Sequence, residues 1–447
     1  MKEAQLQLNL PGVPKAKQGR EVAPQWEWTE ASVWTERMLA ALERGVKGGK
    51  WFSLMDKVWK MENLQSAMQQ VLRNQGGAGI DGQSCEAYLK TSPQRLPRLQ
   101  DKLKDGSYQP KPVKRVWIPK LGSKELRPLG IPTVEDRVVQ TALRNVLEPI
   151  YERTFAEHSY GFRPGRGAKQ ALRRVDQLLK SGHHWVVDAD LKGYFDSIPQ
   201  DKLMEAVETQ IADGAVLKLV GQMLEQGVME SGKGWQPTET GTPQGAVISP
   251  LLANIYLNPL DQFMAGQGWQ MVRYADDFVI LCQNQQQAQE VLEQLRDWTQ
   301  AAGLTLHLTK TRIVDASQKG GFDFLGYHFE RGYRWPRKKS LDKLKETIRD
   351  KTQSGRPGSL RDIIREINRT TRGWFEYFKH SQNTVFRPMD GWIRQRLRRI
   401  LRRRHTGSKR TACRDHQRWP VVYFAKLGLI SLALAREQAS HAHQRAH

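Results

Sequence analysis

The chain has 447 residues, which is too long for one hydrophobic core, so about two to four domains are expected. Its 70 lysines and arginines against 47 aspartates and glutamates give a formal charge of +23, which favours a polyanionic partner such as nucleic acid. A basic surface that only keeps the protein soluble is the alternative, but the arginines cluster rather than scatter. Three widely spaced cysteines exclude a disulfide framework and a zinc knuckle of the usual spacing.

The two ends of the chain carry no targeting signal that the sequence makes recognisable. The first twenty residues contain no apolar stretch long enough for a signal peptide, and the apolar run at 427–435 is too short to cross a bilayer. Unpaired cysteines fit a reducing compartment. We expect a soluble, cytoplasmic protein that has no membrane partner.

The first third of the chain reads as an extension followed by helices and a basic hairpin. Residues 1–50 are polar and are expected to be poorly ordered or to order only on a partner. Alternation at 113–117 predicts a strand, and 121–124 predicts the turn that follows it. Apolar residues at helical spacing predict helices, which we place at 51–72, 135–147 and 168–179.

The middle of the chain carries the acidic residues of interest. A valine-rich strand is expected at 183–191, and its period of two places Asp188 and Asp190 on one face. A Gly/Pro loop leads into an apolar helix at 241–257. Residues 271–282 read as two short strands with Asp276 and Asp277 at the turn between them. A helix at 283–302 and a strand at 304–308 follow.

After about residue 330 a basic linker leads into arginine-rich helices. Seven arginines fall between positions 394 and 404, and four apolar residues lie among them at helical spacing. That pattern predicts a helix with one packed face and one strongly cationic face.

Two adjacent carboxylates in the apolar run around Asp276 and Asp277 are costly to bury unless something compensates their charge. Magnesium ions are suitable partners, since they take one or two carboxylates and complete their shell with water and phosphate oxygens. Two such ions about 3.5–4 Å apart serve polymerases in this way. Antiparallel pairing of the predicted strands would bring Asp190 to the same place. A simple surface hairpin turn, where Asp is common, is the alternative.

Eight segments occur in an order that resembles the group II intron reverse transcriptases, or maturases, over about residues 51–436. The segments are IPKLGSKELRPLGIPTVEDRVVQ, SYGFRPGRGAKQAL, VVDADLKGYFDSI, GTPQGAVISPLLANIYL, RYADDFVIL, GLTLHLTKTRIV, FDFLGYHF and RGWFEYF. The resemblance implies an α/β (α+β) fold shaped as a right hand, with a palm built on a small antiparallel sheet. The implied domains are an N-terminal extension at 1–50, fingers with the start of the palm at 51–185, palm at 186–330, helical thumb or maturase domain at 331–410 and a basic tail at 411–447.

The same resemblance implies RNA-templated DNA synthesis with two Mg²⁺ ions per active site, for which Mn²⁺ can substitute. Asp190 and Asp276 are then the main metal ligands and catalytic residues, with Asp277 the third acidic residue of the site. Asp188 and Asp196 match no liganding position, and Asp188 is read as structural or as a support for the residues that hold the metal.

Five residues are implied to bind the deoxynucleotide. Lys120 and Arg127 resemble finger residues that clamp the triphosphate, although either can be read as a solvated cation. Phe195 resembles the ring that packs under the incoming sugar and disfavours a 2′-hydroxyl, with plain core packing as its alternative. Gln244 belongs to a loop against the nascent base pair, and Lys310 resembles a lysine near the pyrophosphate leaving group.

The implied partners are an RNA template, group II intron RNA, a DNA primer or target, and deoxynucleotides. The cationic helix supplies the candidate RNA contacts Arg394, Arg398 and Arg402. Residues 324–327 resemble a hairpin that grips the primer terminus, and read equally well as a core strand. The aromatic residues of 374–378 are expected to pack in the thumb core. Cys413 and His416 lack a second pair of metal ligands, so we expect a member of the family without the endonuclease domain.

Several functions share these motifs. The first is a bacterial reverse transcriptase, associated with the nucleoid when it acts on DNA, that also assists intron splicing and retrohoming. A related enzyme recruited to repair, phage defence or CRISPR spacer acquisition is one alternative, and a non-catalytic RNA-binding splicing factor is another. An RNA-dependent RNA polymerase is conceivable from the palm alone, but Phe195 argues against it.

Overall fold

The computed structural model describes residues 24–119, 126–353, 355–406 and 414–445. The predicted turn at 121–124 and Cys413 lie outside these ranges. Within the described ranges, no helix is both long and apolar enough to cross a membrane.

The N-terminal region consists of helices that surround a basic hairpin. Its elements are α1 (Glu36–Arg44), α2 (Met55–Val58), α3 (Met61–Arg73), α4 (Cys85–Lys104), β1 (Val113–Pro119), β2 (Leu126–Ile131), α5 (Val134–Glu152) and α6 (Ala168–Lys180). Helix α5 is buried along most of its length because it packs against α3 and the central region. Strands β1 and β2 pair antiparallel, as the alternation at 113–117 predicts.

The central region is a four-stranded antiparallel sheet with helices against it. Its elements are β3 (Trp185–Asp190), α7 (Tyr194–Ser197), α8 (Gln200–Glu208), α9 (Gly214–Glu225), β4 (Val228–Glu230), β5 (Gly234–Gln236), α10 (Ser249–Gly266), β6 (Gln270–Tyr274), β7 (Asp277–Cys282), α11 (Gln285–Ala301) and β8 (Arg312–Asp315). The sheet has the order β6-β7-β3-β8. Strands β4 and β5 instead extend the β1–β2 hairpin.

Alternating side chains of the central sheet enter two different cores, because successive residues of a strand point to opposite faces. Val187 and Ile280 pack into the large core formed with the N-terminal helices. Val186 and Val279 pack on the other face, against α6 and the aromatic residues of 322–329. The central strands are therefore covered on both sides.

A second antiparallel sheet and a helical region complete the fold. The sheet contains β9 (Phe322–Phe324), β10 (Tyr327–Glu330) and β11 (Tyr333–Pro336). The helices are α12 (Lys338–Lys351), α13 (Leu360–Phe378), α14 (Phe386–Thr406), α15 (Asp415–Arg418), α16 (Val421–Lys426) and α17 (Leu432–Arg445). They enclose their own core, which includes Trp419, Phe424 and Leu432 from the predicted basic tail.

Four predictions about local structure are wrong. The basic linker expected after residue 330 contains β11 and the first residues of α12. The described part of the 1–50 extension is folded, since Trp34 is buried and its indole donates to the Asn145 carbonyl oxygen at 2.9 Å. The helix predicted at 51–72 is two helices, α2 and α3. Between them the Asn63 amide donates to the Lys57 carbonyl, at 2.9 Å, and thereby satisfies the end of α2.

The strand predicted at 304–308 is a single bridge between Leu306 and Leu191. The edge of β3 is already occupied by β8, whose residues pair with Trp185–Asp188. Residues 305–307 therefore meet β3 only at its end, where His307 N donates to the Asp190 carbonyl oxygen at 2.8 Å.

Candidate active site

Antiparallel pairing of β3 with β7 places Asp190 directly opposite Asp277. Directly opposed residues of an antiparallel pair point to the same face, with Cβ atoms about 4.5–5.5 Å apart. Asp276 lies one residue earlier, in the turn that joins β6 to β7, after Ala275 at the left-handed φ of 59°. The Asp190 carboxylate thus meets the adjacent pair Asp276 and Asp277, which follow it by 86 and 87 residues, at one corner of the sheet.

The electrostatics of this corner are unfavourable for negative charge. Burial raises the pKa of Asp276, and the nearby Asp190 carboxylate raises it further. The pKa of Asp277 rises to about 7, first because of desolvation and then because Asp276, Asp188 and Asp190 are close. Asp277 retains surface in contact with solvent, but protein atoms crowd around its carboxyl group and reduce its hydration.

Positive charge at the corner is limited. Lys310 Nζ lies 2.5 Å from Asp190 Oδ2, and both side chains are partly exposed. Across the parts of the chain that the structure describes, no ion pair forms at Asp276 or Asp277. Asp188 is paired with Arg312, with 3.3 Å between Arg312 Nε and Asp188 Oδ2, which agrees with its reading as structural.

The donor set at this corner is suitable for a hard divalent cation. Carboxylate oxygens are the ligands that Mg²⁺ prefers, and an added cation would relieve the repulsion that raises the Asp277 pKa. Among the described residues, no cluster of three or more acidic, histidine or cysteine side chains has metal-site geometry. Magnesium does not require such a cluster, because water and substrate phosphates complete its shell. The three aspartates therefore provide the type of ligand that Mg²⁺ requires.

Arg273 supports the β6–β7 turn from inside the protein, a role that the sequence analysis did not assign. Its guanidinium is fully buried and forms a forked ion pair with Asp261, with Nε 2.7 Å from Oδ1 and Nη2 2.5 Å from Oδ2. Its Nη1 donates to the Ala275 carbonyl oxygen and to Asn254 Oδ1, both at 2.9 Å. Burial lowers the Arg273 pKa, but Asp261 more than offsets this, so the pKa is raised.

A second support for the turn comes from residues 158–161, which run beside β6. Arg273 N donates to the His158 carbonyl oxygen at 3.0 Å, and Tyr160 N donates to the Arg273 carbonyl oxygen at 2.8 Å. A Cβ on Gly161 would lie 2.2 Å from Ala275 N, which no side chain tolerates. Only glycine allows the two backbones to approach this closely.

Arg127 contacts Gln244, and the loop of Gln244 is hydrogen-bonded to Phe195, although the three residues lie far apart in sequence. The Arg127 charge also acts to lower the pKa of Asp276. Phe195 is half-buried on α7 and packs edge-on against Tyr194, with ring centroids 5.6 Å apart. Arg127 Nε donates to Gln244 Oε1 at 3.1 Å. Gln244 Nε2 donates to Asp196 Oδ2, also at 3.1 Å. The prediction for Lys120 lies outside the described residues.

Two of the three arginines of α14 that were predicted to contact RNA are buried. Arg398 and Arg402 are only 4% and 5% exposed. Arg398 Nε donates to the Trp419 carbonyl oxygen at 3.0 Å, and Arg402 Nε donates to Asp415 Oδ2 at 2.7 Å. Both belong to the packed face, because the segment around Trp419 covers them. The prediction that they contact RNA from an exposed face is therefore wrong, whereas Arg394 is partly exposed.

The primer-grip and thumb motifs both adopt regular structure. Leu325 and Gly326, with φ of 46° and 82°, form a two-residue turn between β9 and β10. The motif at 324–327 is thus a hairpin whose flanking strands are also core. Trp374 and Phe378 pack against each other at 4.9 Å between ring centroids, and Phe375 is buried, which confirms the packing interpretation.

Comparison with known proteins agrees with this site. Residues 118–329 match the family model "Reverse transcriptase (RNA-dependent DNA polymerase)", and residues 341–419 match "Group II intron, maturase-specific domain". The chain is 34% identical to protein YkfC of Escherichia coli over 62% of its own length and 83% of YkfC. It is 40% identical to the group II intron-encoded protein LtrA of Lactococcus lactis over 44% of its length, a segment that spans 33% of LtrA.

A telomerase from Candida albicans, solved with a fragment of telomeric RNA, is similar at a TM-score of 0.41 and 14% identity. That alignment covers 70% of this chain and 63% of the telomerase, and its score is too low to bear on the assignment. The fold and the paired aspartates define a reverse transcriptase domain of mixed α/β structure, followed by a helical region. The chain belongs to the group II intron reverse transcriptases, or maturases.

Proposed function

We propose that the chain extends a DNA primer on an RNA template, with Mg²⁺ ions held by Asp190, Asp276 and Asp277. The observation that carries this proposal is the direct pairing of Asp190 with Asp277 beside Asp276, at a corner where, among the described residues, neither Asp276 nor Asp277 forms an ion pair. Two bound ions would stabilise the attacking and leaving oxygens of an in-line displacement. Mn²⁺ accepts the same oxygen ligands and can substitute.

The surrounding residues of the chain bind and orient the nucleotide. The Arg127 guanidinium is exposed and grips phosphate oxygens, together with Lys120. The Phe195 ring lies under the incoming sugar and leaves no room for a 2′-hydroxyl. Gln244 has a second amide hydrogen that can be donated to the nucleotide. The Lys310 ammonium, now on Asp190, is close enough to the carboxylates to donate a proton to the departing pyrophosphate.

We further propose that the helical C-terminal region binds group II intron RNA and assists its splicing and retrohoming. The match to a maturase-specific domain and the exposed arginines of α14 support this role. Arg399 and Arg394 are the contact candidates, because Arg399 is exposed and Arg394 is partly exposed. A polymerase that acts on RNA and DNA in this way would work in the bacterial cytoplasm, at the nucleoid during insertion.

Primer extension on an RNA template tests the polymerase proposal. The purified chain should incorporate dNTPs in the presence of Mg²⁺ and stop when a chelator is added. Asp276→Ala should abolish incorporation, whereas Asp297→Ala, which removes an exposed carboxylate on α11, should leave it unchanged. Continued full activity of Asp276→Ala would refute the assignment. Intron splicing that Asp276→Ala still supports would show that the RNA-binding role is separable.

A further inference from the structure

The segment that carries Phe195 is attached to the loop that carries Gln244. Thr242 N donates to the Phe195 carbonyl oxygen, and Gly241 N donates to the Ile198 carbonyl oxygen, both at 2.7 Å. Gly241 has a φ of 79°, and a Cβ there would lie 2.6 Å from the Phe195 carbonyl oxygen. Any displacement of one segment therefore moves the other.

Asp196 adds a side-chain link to this junction. Its Oδ2 accepts from Gln244 Nε2 at 3.1 Å, while Gln244 Oε1 accepts from Arg127 Nε at the same distance. An ionised carboxylate can only accept, and a guanidinium can only donate. The two neighbours together dictate which end of the Gln244 amide faces which side, an orientation that an isolated glutamine would not have.

The Asp196 carboxylate makes few other contacts in the described structure. Within the described residues, the Gln244 amide is its one hydrogen-bonded side-chain partner, and Asp196 forms no ion pair. It lines a cavity of about 240 Å³, together with Arg115 and Pro243. A charged group placed beside Phe195 and satisfied mainly by Gln244 is better explained by the orientation of Gln244 than by stability.

We propose that Asp196 is a positioning residue for deoxynucleotide selection, which acts by holding the Gln244 amide in one orientation and by keeping Gln244 in register with Phe195. This inference rests on the proposed polymerase function. Loss of the carboxylate frees the Gln244 side chain to rotate, so that its contact with the nucleotide and the spacing to the Phe195 ring are both less defined. The consequence is weaker dNTP binding and poorer exclusion of ribonucleotides.

Single-nucleotide incorporation kinetics test the proposal with four proteins: Asp196→Ala, Asp196→Asn, Gln244→Ala and the Asp196→Ala/Gln244→Ala double variant. Asp196→Ala should lower kcat/KM for dNTPs about tenfold, mainly through KM, since a hydrogen bond to a charged group is lost. The ratio of dNTP to rNTP use should fall as well. Asp196→Asn should retain more of both, because its amide oxygen still accepts. Asp201→Ala, an exposed carboxylate on α8, is the control.

The double variant decides whether Asp196 acts through Gln244. If it does, Asp196→Ala should have almost no further effect once Gln244 is alanine, because the two residues form one unit. Effects that multiply, or equal losses for dNTPs and rNTPs, would overturn the proposal. If Asp196→Ala does not fold, Asp196→Leu takes its place, since leucine fills the space without an acceptor, and an unchanged dNTP/rNTP ratio in Asp196→Leu would overturn the proposal. A wild-type chain that incorporates nothing would refute the polymerase function itself, which is a separate result.

Discussion

Replacement of Arg273 by methionine should destabilise the protein and, if Asp276 holds a metal ion as proposed, should also lower primer extension. The change removes the forked ion pair with Asp261 and the donor to the Ala275 carbonyl oxygen, and it leaves the buried Asp261 carboxylate without its cation. Breaking one partner out of a buried ion pair costs about 3–5 kcal/mol. At about 2–4 °C per kcal/mol, the melting temperature should fall by roughly 6–20 °C.

The assay is urea denaturation of Arg273→Met beside the same substitution in an exposed pair. Arg365 also contacts an aspartate at 3.0 Å, but both partners are more than half exposed, so Arg365→Met should cost under about 1 kcal/mol. The Arg273→Met/Asp261→Leu double variant should regain part of the lost stability, because the unpaired charge is gone. It should stay poor in primer extension, because the Ala275 carbonyl oxygen still lacks its donor. Equal costs for Arg273→Met and Arg365→Met would refute the reasoning.

Three further predictions concern other parts of the molecule. Burial raises the pKa of Glu148 from 4.5 to about 7, so the carboxyl group takes up a proton on folding, and the folded state loses stability as pH rises from 4.5 to 7. Glu148→Gln should therefore have a higher free energy of unfolding than the wild type, by up to about 3 kcal/mol at pH 8, and the same value at pH 4.5. Denaturation of both proteins at the two pH values measures this difference. Gly161→Ala should abolish most primer extension, because a Cβ there displaces the β6–β7 turn. Gly167→Ala is the control, because a Cβ at this position meets nothing within 4 Å. Equal activities of the two variants would show that the contact between Gly161 and Ala275 does not matter. Arg399→Gln should weaken intron RNA binding and make it less salt-dependent, by filter binding across a salt series, while Arg402→Gln should mainly lower the melting temperature; the reverse pattern would show that the faces of α14 are misassigned.

Local patterns in the sequence were sufficient for the hairpin that carries the acidic pair. The apolar runs on both sides of Asp276 and Asp277 predict two short strands, and the structure places them at Gln270–Tyr274 and Asp277–Cys282. The period of two correctly put Asp188 and Asp190 on one face. These features depend on residues within a few positions of each other, which is the range over which a pattern carries information.

Predictions failed where a distant segment decided the outcome. Helical spacing predicts that the arginines of α14 form an exposed cationic face. Arg398 and Arg402 are nevertheless buried, because residues 415–424 pack over them. Trp34 is held by a carbonyl 111 residues away. Neither contact leaves a trace in the local pattern, because a polar extension and a cationic helix look the same whether or not another segment packs on them.

The sequence by itself determined the class of protein and the strands that carry or flank Asp190, Asp276 and Asp277. It did so because motif order and residue periodicity are properties of the chain. Only the tertiary structure decided which strand edge Asp190 occupies, which arginine supports the turn, and that Asp196 touches Gln244. These contacts depend on which distant segments pack together when the chain folds. Whether a charged side chain is buried is likewise decided only by that packing.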